Sequence, residues 1–156
     1  MNHDIWEDYS LAEDVFYAKR MELFASKDFE SRLASALRSP EGSERALRVL
    51  LDARVDHSFA LSVLSELIEL AVSGPTRSLD LASQVLARQF SDDEVRSSIS
   101  EMIENYYKSS DYFLLRRLAQ VLRDHHLDDL LLTLVSNCRN HDDPDIREIS
   151  DDFSPA

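Results

Sequence analysis

A Val-Leu pair recurs in this chain at intervals of 36 residues, as Val49-Leu50, Val85-Leu86 and Val121-Leu122. That interval is too long for one helix and suits two helices with their turns, so the spacing predicts stacked helical hairpins. Ala46 and Ala82 precede the pair on the same helical face, and Leu118 takes that place in the third copy. An acid follows each pair at a constant step: Asp56, Asp92 and Asp128. A second apolar stripe comes next, reading Phe59, Val63, Leu67, then Val95, Ile99, Ile103, then Leu131 and Val135. Arg139 stands where the last stripe would continue, so the repeat decays there.

Two glycines and the absence of Val/Ile/Thr runs with Gly-rich turns argue against strands. The predicted fold is all-α: a right-handed α-α superhelix of helical hairpins, with about eight or nine helices. The 156 residues form one domain, long enough to bury about 70% of the unfolded surface. Within it we place N-terminal helices in 1–38, hairpins at 43–72, 76–107 and 111–139, and a capping helix at 143–153. Ser39-Pro40-Glu41-Gly42, Gly74-Pro75 and Lys108-Ser109-Ser110-Asp111 break the chain between units. The first helix is predicted over 10–26, apolar at Leu11, Val15, Ala18, Met21 and Ala25, with Ser10 and Glu13 as a capping box. A short second helix follows from Asp28 to Arg38, apolar at Phe29, Leu33 and Ala36.

The acids at 56, 92 and 128 sit where a cap or first-turn carboxylate would accept free backbone N–H groups. Ser91 with Glu94 forms a capping box in the middle copy. Asp143 is the N-cap of the terminal helix, with Pro144 at its first position. The stretches Asp92-Asp93-Glu94-Val95-Arg96 and Asp143-Pro144-Asp145-Ile146-Arg147 resemble HEAT repeats, in which an acid-rich turn leads into a second helix opening with Val/Ile-Arg. The resemblance covers roughly residues 43–153 and implies an architecture without implying an activity. The Asp-Pro-Asp-Ile-Arg match would make 126–139 a first helix, while the 36-residue frame makes it a second helix. The frame rests on several positions and takes precedence.

Net charge is −13, and its distribution is uneven. Residues 1–18 hold five acids and no base; residues 141–156 hold six acids and one Arg. Direct nucleic-acid binding is disfavoured, since a phosphate backbone demands a basic face. The single Cys138 cannot form an internal disulfide and fits a reducing compartment. The N-terminal stretch lacks the basic and apolar regions of a signal peptide, and no apolar run approaches the roughly 20 residues of a membrane span. A cytoplasmic protein without membrane contact is expected, as a monomer or weak dimer.

Candidate chemistry is sparse. His125-His126-Leu127-Asp128-Asp129 carries metal-ligand residue types, but a structural zinc site needs four ligands, and a solvated turn is the expected reading. Cys138 reads as a small core residue with no His placed to activate it. Glu101 and Glu104, three apart on one helix, read as ordinary exposed acids. No catalytic residue, metal site or cofactor is expected.

The helices divide by charge. First helices 43–55, 76–90 and 111–124 carry five acids against eight bases. Second helices 57–72, 91–108 and 126–139 carry nine acids against three bases. Helix-start preferences explain Asp92, Asp93, Glu94, Asp128 and Asp129, and leave Glu66, Glu69, Glu101 and Glu104 unexplained. Tyr106, Tyr107 and Tyr112 lie near the second-to-third junction, where exposed tyrosines would serve as interface anchors, and some of the three are expected to pack in the core instead. The predicted partner-binding set is Glu66, Glu69, Glu94, Glu101, Glu104, Tyr107, Asp111, Tyr112, Asp128 and Asp129.

Size, acidity and helical repeats together resemble the immunity proteins that bacteria pair with polymorphic or contact-dependent growth-inhibition toxins. That resemblance implies a non-enzymatic inhibitor whose acidic surface blocks the cleft of a basic toxin, in particular a nuclease. The alternative is an intracellular HEAT-like scaffold or adaptor.

Overall fold

The computed structural model describes residues 4–154; residues 1–3 and 155–156 lie outside that range. The described residues form ten helices and no strand. These are α1 (Ile5–Phe24), α2 (Phe29–Leu37), α3 (Ser43–Asp52), α4 (His57–Ser62), α5 (Leu64–Ser73), α6 (Thr76–Gln89), α7 (Asp92–Tyr107), α8 (Tyr112–Asp124), α9 (Asp128–Arg139) and α10 (Pro144–Phe153).

The recurring Val-Leu pairs lie on α3, α6 and α8. Leu50, Val85, Leu86, Val121 and Leu122 are buried, as are all eight residues of the second-helix stripes. Val49 differs from its counterparts: it is only partly buried, because it lines an open cleft beside Leu23 at the start of the stack. Helix α5 occupies the centre and packs against α6, α7 and α8, so the third hairpin reaches back to the first. A row of repeats touching only neighbours would not make that contact. Helix α3 also packs on α6, where the buried hydroxyls of Ser43 and Ser78 meet at 3.1 Å.

The all-helical stack agrees with the expected eight or nine helices, and the count among the described residues reaches ten because the second helix of the first hairpin is broken in two. Val63 leaves helical geometry (φ −114°, ψ 8°) and separates α4 from α5. The Ser62 hydroxyl donates to the Phe59 carbonyl at 2.7 Å beside the break, a local bond that competes with the helical ladder. Val63 is itself buried, so the break turns an apolar side chain inward.

The N-terminal helix departs most from expectation. Asp4 caps α1 by accepting from the Trp6 amide at 3.0 Å, so the helix starts before Ser10. Ser10 lies inside it and donates to the Trp6 carbonyl at 2.9 Å. The apolar face read from the spacing is exposed, Leu11 at 65%, and no described residue of α1 is fully buried. Only the last turns of α1 meet the stack, through Arg20 with Asp52 at 2.9 Å and Phe24 edge-on to Phe29.

The predicted caps at Asp56, Ser91–Glu94 and Asp143–Pro144 are all present. The turn at His125-His126 is different from the solvated one expected. His125 is 4% exposed and its Nδ1 lies 3.2 Å from the Asp92 carboxylate. His126 has φ 51°, the left-handed conformation that closes a helix end. The Leu127 amide donates to the Leu122 carbonyl and the His126 amide to Arg123, which completes a Schellman motif. Leu127 is buried behind it, and its burial carries His125 inward.

Candidate partner-binding face

Helices α5, α7 and α9 are neighbours, and side chains join them. Arg96 of α7 pairs with Asp129 of α9 at 2.8 Å, and the Tyr107 hydroxyl donates to the Leu130 carbonyl at 2.9 Å. α5 packs directly on α7. Their outer faces therefore form one surface. On α7 the outward stripe is Asp93, Ser97, Glu101, Glu104 and Lys108, spaced by four, four, three and four residues. That spacing holds one side of a helix, opposite the buried Val95, Ile99 and Ile103.

The predicted acids divide into two groups. Glu66 is committed inside the molecule, paired with Arg38 of the 28-residue-distant α2 end. Partial burial disfavours its charge, but Arg38, the backbone and Ser65 outweigh this and hold its carboxyl below the usual range. Glu94 accepts from the Ser91 amide at 2.8 Å and meets His57 Nε2 at 2.8 Å. The Ser91 backbone and side chain, with His57, keep its carboxyl low. Asp129 is held low by Arg96, and Asp111 caps α8 by accepting from the Leu114 amide at 3.1 Å. Glu69, Glu101, Glu104 and Asp128 are exposed and hold no ion pair or hydrogen bond among the described residues; Asp93, not in the predicted set, joins them.

The tyrosines are partly exposed and partly packed. Tyr106, Tyr107 and Tyr112 are each half-buried and packed against the core. Burial, reinforced by Glu104 and Asp129, pushes the Tyr107 hydroxyl up to about 12. The same kind of burial, with Glu69 nearby, raises Tyr106. Their rings pack against the core, a placement that sequence position alone does not reveal.

Sequence reading also missed the partners of the outward bases on the first-helix layer. Arg116 pairs with Asp152 at 2.7 Å, and Arg117 donates to the Gly74 carbonyl at 3.4 Å. Arg123 lies over the Phe153 ring at 4.5 Å. With Phe113 these arginines border a cleft between α8 and α10. Among the described residues, no cluster of three or more His, Cys, Asp or Glu is placed to hold a metal ion. Cys138 is buried, and burial pushes its thiol up, away from a reactive thiolate. No described helix is long and apolar enough to cross a membrane.

No family model, curated protein or solved structure matches the chain.

Proposed function

We propose that the protein is a non-enzymatic binding module that engages a basic protein partner through the outer faces of α5, α7 and α9. One observation carries the reading. The acids Glu69, Asp93, Glu101, Glu104 and Asp128 share neighbouring helix faces and hold no ion pair among the described residues, with Arg96, already paired to Asp129, the cation near Asp93 and Asp128. Such a field steers a basic partner toward the face and penalises wrong partners. The role we assign is that of an immunity protein covering the cleft of a cognate toxin, with a nuclease domain as the partner class. Size, net charge of −13 and the helical stack support it. A constitutive scaffold uses the same face and differs in having a host protein as partner.

The test is a charge reversal. Glu69, Glu101 and Glu104 are changed together to Lys, with Arg54, Arg77 and Arg88 changed to Glu as the matched set. All six side chains are exposed. The partner is recovered from the native host with the parent protein and then titrated with each set. The acid reversal should slow association at low salt by at least tenfold, while the arginine reversal binds like the parent. Equal binding by both sets would remove the acidic face from consideration. Protection of cells that express a neighbouring toxin gene separates immunity from scaffolding.

A further inference from the structure

Helix α1 leaves the stack with its apolar side chains uncovered. Ile5 is 79% exposed and Phe16 is 59% exposed, with Tyr9 and Ala12 exposed between them. Ile5, Tyr9, Ala12, Phe16, Lys19 and Leu23 follow one another at steps of four, three, four, three and four. That alternation is the heptad seam of a two-stranded coil, and five of the six positions are apolar. Ile5, Tyr9 and Ala12 lie beyond the stack, while Phe16, Lys19 and Leu23 border the cleft with Val49 of α3.

Charge decides what could lie there. Asp4, Glu7, Asp8, Glu13 and Asp14 crowd the first half of α1, with no base among them. The other end presents Lys19, Arg20, Arg45 and Arg48 around a mostly apolar cleft of about 450 Å³, against Glu22, Glu44 and Asp52. Two copies of α1 laid parallel would set five acids against five. Laid antiparallel, each acidic half meets the other copy's basic end. The seam then interdigitates when centred on residue 14: Ile5 falls opposite Leu23, Tyr9 opposite the Lys19 stem, and small Ala12 opposite large Phe16.

We infer that the protein forms a homodimer through antiparallel pairing of its α1 helices. The 20 residues of α1 give a seam about 30 Å long. Such a pairing places the two stacks at opposite ends of the coil and leaves both α5–α7–α9 faces open. The contact is isologous, so it closes at two copies and does not propagate.

Sedimentation equilibrium of the full chain tests this, between about 1 and 200 μM, the range in which a modest interface is read. The parent should move from monomer to dimer mass. Phe16→Glu should remain a monomer with an unchanged thermal transition, since its side chain is exposed in one copy. Orientation is read with nitroxide labels on a Cys138→Ala background. In a pairing centred on residue 14, labels at Asp14 share one axial level, whereas labels at Glu7 stand about 20 Å apart along the axis at 1.5 Å per residue, so the Glu7 pair should show the longer distance. A parent that stays monomeric, a dimer that survives Phe16→Glu, or equal label distances at both positions would overturn the inference. No binding partner is in the cell, so failure here leaves the acidic face untouched.

Discussion

Ser43 and Ser78, 35 positions apart, hydrogen-bond to each other at 3.1 Å in the buried contact between α3 and α6. Both side chains are small, which lets the two backbones approach, and neither hydroxyl has another partner among the described residues.

Removing one hydroxyl should therefore cost more than removing both. Ser43→Ala alone leaves Ser78 buried and unsatisfied, at about 1–2 kcal/mol. Ser78→Ala alone should cost a similar amount. The double variant should fall well short of the sum, with a coupling above about 0.5 kcal/mol in urea unfolding. Additive effects would mean that the hydroxyls act independently.

His126 occupies a position made for glycine. Its φ of 51° strains an L side chain, while the backbone bonds that close α8 need no imidazole. Exchange to Gly should stabilise the protein by about 0.5–1 kcal/mol, partly offset by the greater freedom of the unfolded chain. A loss of stability would show that the ring makes a contact of its own.

Tyr107 should titrate late. Its hydroxyl is pushed from 10 to about 12, so the folded protein keeps this proton where the unfolded chain releases it. Stability falls as pH rises through that window. Tyr107→Phe should remove this part of the alkaline loss and cost about 1 kcal/mol at neutral pH through the lost bond to the Leu130 carbonyl. Chemical unfolding at stepped pH, with phenolate absorbance, reads both effects.

The acid side behaves in the opposite sense. Asp56, Glu94 and Asp129 have folded pKa values below their ordinary 3.8 to 4.5. Their contribution is whole above that range and is lost as pH falls through the lower folded values. Glu94→Gln should give a shallower decline of the thermal midpoint with acidity. An unchanged decline would place the acid sensitivity in other carboxylates.

Local signals were readable and distant partnerships were not. The Val-Leu interval located the helix pairs because burial repeats whenever a hairpin repeats. Ser91, Asp56 and Asp143 announced helix starts because a cap is chosen by groups two or three residues away. Glu66 looked like its neighbour Glu69, yet one is tied to Arg38 and the other is uncommitted. That difference depends on how α2 lies against α5, which no local pattern encodes. Leu11 and Val15 kept helical spacing without being buried, since periodicity reports a face and not what covers it. His125 read as solvated because the burial of Leu127 that draws it inward is a tertiary event.

The reach of α5 from the first hairpin to α8 of the third has an evolutionary consequence. Chains whose units touch only adjacent units can gain or lose a unit internally and remain intact. Here, an extra hairpin copied in between would carry α8 away from α5 and open the interior to solvent. Deleting the last hairpin would strip the same helix bare. One central helix thus fixes how many units the protein can have, and its descendants must diversify by changing surface residues while keeping the count.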